Sequence, residues 1–224
     1  MDDIEKELKV FADEVHVASV AFFTWKCINN IAAGDKKIFR ALNSNALSWK
    51  IIQHSLQTTF LITLGRIFDT DSRSYSVQSL IDYCIVNIDQ FSKEALRERK
   101  LGDSDGGKWI DGYVEKSYQP KEDDFIGLKD WLSGYEETYT DVYKPIRNKL
   151  MAHMDRDTFE SKDDLFEKTN IGQIEDMLCF LFQISEVIWE FIHNGRLNEV
   201  GDFNFDKEAR VDEDVRSLLE KLKA

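Results

Sequence analysis

Within the run Lys144-Pro145-Ile146-Arg147-Asn148-Lys149-Leu150-Met151-Ala152-His153-Met154-Asp155, an Arg-Asn pair and a His stand within two helical turns of each other. These residue types can cut RNA without a metal. An Arg guanidinium grips a phosphate through a rigid fork of donors, an Asn orients a hydroxyl or phosphate oxygen, and a His moves a proton near neutral pH. The same spacing also arises in helices with no such role, where Arg147 is merely exposed and His153 pairs with Asp157 four residues on. On an ideal helix Arg147 and His153 lie ~120° apart around the axis, at ~100° per residue. A straight helix therefore keeps them off one face, and convergence needs a loosened helix near His153 or a second copy of the chain.

Charge restricts what such a site could hold. The formal net charge is −13, and a chain that grips a polyanion usually carries a basic face. Around the motif the balance differs: Lys144, Arg147, Lys149 and Arg156 stand against Asp141, Asp155 and Asp157. A cleft there can be positive within a Debye length of ~8–10 Å while the remaining surface repels RNA. The reading is a local, steered RNA site with no broad basic platform.

The elements that must position these residues read as helices. With 2 Pro and 11 Gly in 224 residues, the chain has few obligatory breakers and no Pro-rich spacer. Ile4, Leu8, Phe11, Val15, Ala18, Phe22, Trp25 and Ile28 recur at steps of three and four and predict a long helix from Asp3 to about Ala33, ended by Gly34-Asp35. A second helix is expected from an Asn45 cap through Trp49, Ile52, Leu56 and Phe60 to Phe68. Its Gly65 costs ~1 kcal/mol against Ala, which points to close backbone packing. Arg66 and Asp69 are spaced for an i, i+3 surface ion pair.

A third helix follows from Ser76 to Ile88, then short ones at Ser92–Arg99 and Lys108–Tyr118. The motif helix runs between Pro120 and Met154, with Trp131, Leu132, Tyr135, Tyr139, Val142, Ile146 and Leu150 on its buried face and Arg147 and Lys149 flanking that stripe. Pro145 should kink or restart it just before Arg147. After an acidic loop, an Asn170 cap with Gln173 three residues on opens an apolar helix to His193. That helix carries more apolar side chains than one face can use, which suggests a subunit interface. A last helix from Asp206 shows a stripe of Val211, Val215, Leu218 and Leu222. The expectation is one all-α domain over residues 1–224, an up-and-down bundle of four or five long helices with short peripheral ones, its core at about 3–195 and residues 196–224 an extension.

Other chemistry finds little support. There is no Gly-rich phosphate loop, no His-Glu-x-x-His and no Gly-x-Ser-x-Gly. Leu101 to Gly107 lacks the order of a calcium loop. Cys27, Cys84 and Cys179 are spaced singly and read as small buried hydrophobes. His16 and His54 read as core or interface groups, and His193 as a helix-end charge. No metal, no cofactor and no membrane span is expected, and the acidic start is no signal peptide; the protein reads as cytoplasmic.

The string Arg147, Asn148, Ala152, His153 and Asp155 resembles the Arg-x(4 to 6)-His motif of the HEPN superfamily, most closely its abortive-infection branch of the AbiU type. Gly65-Arg66-Ile67-Phe68-Asp69, with the Ser76-led helix after it, is similar to that branch's Arg-x-x-Asp segment. The resemblance implies a helical HEPN domain acting in antiphage defence or as a toxin-like endoribonuclease. His153 would be the acid or base, Arg147 would steady phosphate charge and Asn148 would orient. Lys144, Lys149, Arg66, Asp69 and Asp155 would border the RNA substrate. It also implies a homodimer whose two motifs face each other. The alternative it leaves open is a non-catalytic HEPN module binding a nucleotide or a partner protein. At Asp155 the chain departs from HEPN toxins that carry a modifiable Tyr two residues beyond the His.

Overall fold

A computed structural model describes residues 3–71, 74–102, 107–148, 167–201 and 205–223. The described residues form an all-α bundle around a main apolar core, with a smaller separate cluster of Leu96, Ile110 and Val114. The first helix, α1 (Asp3–Gly34), is its axis: it packs against most of the others, most extensively against α3 (Ala46–Ile67). Its buried stripe includes Ile4, Leu8, Phe11, Val15, Ala18, Phe22 and Ile28, as the spacing predicts, while Trp25 is only partly covered.

Between them lies α2 (Lys36–Ser44), which the spacing of apolar residues did not reveal. Two anchors, Ile38 and Leu42, hold it to the core, and the Asp35 side chain caps it by accepting the Lys37 and Ile38 N–H groups at 2.8 and 3.3 Å. Asp35 satisfies donors that a helix start otherwise leaves unpaired. Asn45 makes no side-chain cap bond to α3, correcting the expected role.

Ser76 caps α4 (Val77–Val86) by accepting from the Ser79 N–H at 3.2 Å. Short α5 (Lys93–Gly102) and α6 (Trp109–Lys116) pack on each other. Arg99 of α5 donates to the Ile192 carbonyl at 3.2 Å and, at 2.6 Å, to that of Gln90.

The motif helix is α7 (Glu122–Thr138), which buries Phe125, Leu128 and Leu132. Trp131, one residue off that stripe, is 59% exposed, contrary to expectation.

The long apolar helix, α8 (Ile171–His193), runs into the chain's own core. Phe180 stacks on Tyr135 at 4.3 Å, Phe182 meets Phe205 and Phe191 meets Phe125. Most of its apolar side chains are thus covered from within, while Ile171 and Trp189 stay 47% and 43% exposed. The last helix, α9 (Lys207–Glu220), lies along α1 with Val211, Val215 and Leu219 buried. The expected Leu218 faces out at 56% exposed. No described helix is long and apolar enough to cross a membrane.

Candidate functional site

Beyond Thr138 the helix does not stop; it widens into a π-helical turn at Tyr139–Tyr143, followed by one α-helical turn at Lys144–Ile146. Pro145 accounts for the change. It has no N–H to donate, and its ring collides with the carbonyl four residues back in a regular helix. The wider turn bonds Lys144 N–H to the Tyr139 carbonyl, five residues back. Tyr139, Tyr143 and Ile146 are thereby buried in one row.

Arg147 follows directly, and it turns further inward than a residue flanking that row. Its Nε is buried with no hydrogen-bond partner among the described residues, while Nη1 donates to Asn148 Oδ1 at 3.0 Å. What it packs against is Gly65 of α3. A Cβ on residue 65 would come within 2.7 Å of Arg147 Nε and 3.0 Å of Tyr139 Oη. Only glycine allows that approach, which is the close packing that the helix-interior Gly65 foretold. The Tyr139 ring stacks on Phe68 at 5.0 Å and 14°. Burial raises the Tyr139 phenol pKa; the Arg147 guanidinium pulls against this and the Asp69 carboxylate adds to it.

The two segments that carried the resemblance, 65–69 and the start of the Arg147 run, therefore meet in space. They do so through Gly65, Phe68, Tyr139 and Arg147 rather than through Arg66 and Asp69. Arg66 points back toward α1, donating to Glu14 Oε2 from Nε at 2.9 Å and Nη2 at 2.6 Å. The expected Arg66–Asp69 pair is replaced by this one because Glu14 faces the Arg66 side chain across the α1–α3 contact. Asp69, past the helix end, accepts the Asp71 N–H and the Ser74 hydroxyl, each at 3.1 Å. It also lines a groove with Thr70, Ser76 and Ser79. Lys144 is half-buried.

Lys149, His153 and Asp155 lie outside the described residues. The chain on either side of them is tied together by Tyr143. Its hydroxyl donates to the Asn170 carbonyl at 2.9 Å, with Gln173 Oε1 as an alternative acceptor at 3.2 Å, and accepts the Asn170 N–H at 3.3 Å. The Asn170 side chain caps α8 by accepting from the Gly172 N–H. The hydroxyl of Tyr143 thus occupies the place where a capping-box Gln173 would reach back to Asn170.

A family model for AbiU2, a HEPN domain, matches residues 1–222. The chain belongs to the AbiU2 family of HEPN domains. No curated protein and no solved structure matches it. The match spans α1 through α9, so the HEPN and abortive-infection assignment that the two short segments implied holds for the whole described bundle.

In this AbiU2-family chain the Arg147 environment includes residues that the sequence did not single out for chemistry. Tyr139 was legible only as one member of an apolar row, and nothing in its spacing signals a hydroxyl turned toward Gly65. Glu14 stands 52 positions from Arg66, too far for any helical spacing to pair them. Among the described residues no group of three or more His, Cys, Asp or Glu is gathered to hold a metal ion. Cys27 and Cys84 are buried and Cys179 partly so. Burial, with Asp212 and Glu208 adding to it, pushes the Cys27 thiol up to about 11, so it stays protonated and inert at neutral pH. His16 and His54 prove exposed, not core, and His16 Nδ1 lies 3.2 Å from Lys207 Nζ.

Chemically, the arrangement holds one Arg in place: its Nε lies against Gly65 and its Nη1 is braced on Asn148, which leaves the side chain little rotamer freedom to lose.

Proposed function

We propose that this AbiU2-family chain is a metal-independent endoribonuclease in antiphage defence or a toxin-like role, with RNA as substrate. The observation that supports it is the Arg147 guanidinium braced by Asn148 over Gly65. In the proposed reaction the ribose 2′-oxygen attacks the adjacent phosphorus as His153 takes its proton. The bond from phosphorus to the 5′-oxygen breaks, and that oxygen picks up a proton. The products are a 2′,3′-cyclic phosphate and a 5′-hydroxyl. Arg147 stabilises charge on the non-bridging oxygens, and general acid–base help of this kind is worth ~10²–10⁴ in rate. Asn148 orients either the attacking hydroxyl or the phosphate. Lys144 and Lys149 hold the RNA backbone, and Arg66, Asp69 and Asp155 border the cleft. A homodimer supplies the second motif, answering the angular offset of Arg147 from His153.

The test is cleavage of labelled RNA in EDTA by the wild-type chain and by His153→Ala and Arg147→Ala. Expected is cleavage that survives the chelator, leaves the cyclic phosphate and falls at least 100-fold in either variant, with melting temperature unchanged for His153→Ala. Mixing the two variants should restore part of the activity. Undiminished cleavage by His153→Ala would sink the nuclease reading.

One observation favours a second reading, a non-catalytic HEPN module that binds a nucleotide or a partner protein. Arg66 is already neutralised by Glu14, in a chain of net charge −13, which weakens any hold on a long polyanion. Nucleotide binding that Arg147→Ala abolishes and His153→Ala leaves intact, with no cleavage by either, is the outcome that reading requires.

A further inference from the structure

Between Asp35 and Asp69 there is no Asp or Glu, in a chain with 42 acidic residues among 224. The charges in that stretch are Lys36, Lys37, Arg40, Lys50 and Arg66, and the first four lie exposed on α2 and the opening turns of α3. Large apolar side chains stand among them: Phe39 is 55% exposed, Leu47 85% and Ile51 60%. Leu47 and Ile51 are four residues apart and so share one helix face. Beside them, a groove of about 300 Å³ opens between α2 and α3, lined by Phe39, Leu42, Trp49, Lys50, Gln53 and His54. Here cations border exposed apolar groups and an open groove, and exposed apolar patches of this kind mark contact sites.

We infer that this groove docks an acidic amphipathic helix of a partner protein. Its apolar side chains, at i, i+4 and i+7, would enter the groove against Phe39, Leu42 and Trp49 and reach Leu47 beside it, and Glu or Asp along its flanks would meet Lys36, Lys37, Arg40 and Lys50. Charge complementarity selects this occupant. A second copy applied through the same face would set identical cations against each other, and the exposed apolar side chains fall far short of the ~20–30 residues per side of a stable dimer. Single-stranded RNA could stack bases on Phe39, Trp49 and His54, but it would leave Leu47 and Ile51, the most exposed apolar side chains of this face, without a partner. A bilayer extends past the groove, where an anionic surface meets the acidic remainder of the chain within a Debye length of ~8 Å. A helix laid in the groove reaches only the basic region, in the manner of helix-in-groove recognition. Ile51 and Gly65 are ~21 Å apart along α3 at ~1.5 Å per residue, so the docking face stands apart from Arg147.

The experiment is fluorescence anisotropy of the full chain with two labelled 18-residue helical probes, both with Leu at i, i+4, i+7 and i+11, one flanked by Glu and one by Lys. Expected is saturable binding of the Glu probe at micromolar protein, at least tenfold tighter than the Lys probe. It should weaken at least fivefold between 50 and 300 mM salt and at least tenfold in Phe39→Ser/Leu47→Ser, with that variant's melting temperature unchanged. Arg147→Ala should bind the probe as wild type does, which separates failure here from failure of the nuclease reading. Equal binding of both probes, or none, overturns the inference. So does a wild-type dimer that the double variant makes monomeric, or loss of bound single-stranded RNA or phosphatidylglycerol vesicles in that variant alone, each of which assigns the face to a different occupant.

Discussion

The two halves of α3 share one helix yet lie in opposite surroundings. From Phe60 onward the helix is buried through Phe60, Leu61, Thr63, Leu64, Gly65 and Ile67, whereas no residue from Ala46 to Thr59 is fully buried. The first half is the more polar, with six apolar residues of 14 against five of eight, yet it still carries Leu47, Trp49, Ile51, Ile52 and Leu56. The second half is closed over by α1 on one side and by Tyr139 and Arg147 on the other, and the first half has α2 for a neighbour but an open groove between them. Apolar spacing announces a face that can be buried. Burial itself depends on whether another element arrives to cover it.

The comparison can be tested with one residue type. Leu64 is fully buried, so Leu64→Ala should cost about 2–5 kcal/mol through lost transfer energy and an unfilled cavity. Leu47→Ala, at 85% exposed, should change stability by no more than ~0.5 kcal/mol. Urea unfolding of the two variants measures both; equal costs would mean that the first half of α3 is covered after all, by another copy of the chain.

A smaller effect is expected at Gly65. The added methyl of Gly65→Ala meets Arg147 Nε and Tyr139 Oη, an overpacking cost of about 1–3 kcal/mol set against ~1 kcal/mol regained in helix propensity. Because Arg147 must move, activity should fall more than tenfold even where the melting temperature drops only a few degrees. A stable Gly65→Ala chain of full activity would show that the Gly65 contact does not orient Arg147.

Tyr143→Phe should cost about 1 kcal/mol by removing the hydroxyl that serves Asn170, read as a shift in urea midpoint without a change in slope. The smallest effect belongs to Glu14→Gln: the pair with Arg66 is largely exposed, and its loss should lower stability by ~0.2–1 kcal/mol, less at high salt.

Much of the architecture was legible in the chain. The stripe from Ile4 to Ile28, the Asn170 cap and the restart at Pro145 each follow from interactions within a turn or two, and such interactions are written in neighbouring residues. Helix α2 escaped because two anchors, Ile38 and Leu42, are too few to make a periodicity. Leu218 and Leu219 were indistinguishable from spacing alone, since either continues the Val211–Val215 stripe; the contact with α1 selects Leu219. At the candidate site Arg147 and Asn148 stood out by type and spacing. That Arg147 turns inward over Gly65 did not, because the wider turn before Pro145 changes its direction.

The sequence by itself determined the all-α class, the AbiU2-type HEPN resemblance and the need for a glycine at residue 65. These rest on local hydrogen bonding, helical periodicity and residue type, which act over a few positions. Only the tertiary structure decided that Arg66 pairs with Glu14 rather than Asp69, that α8 buries most of its apolar side chains inside the chain, and that one half of α3 is covered while the other is left open. Those outcomes rest on contacts between residues tens of positions apart, and the strength of such contacts is set by geometry and burial that no single stretch of chain encodes.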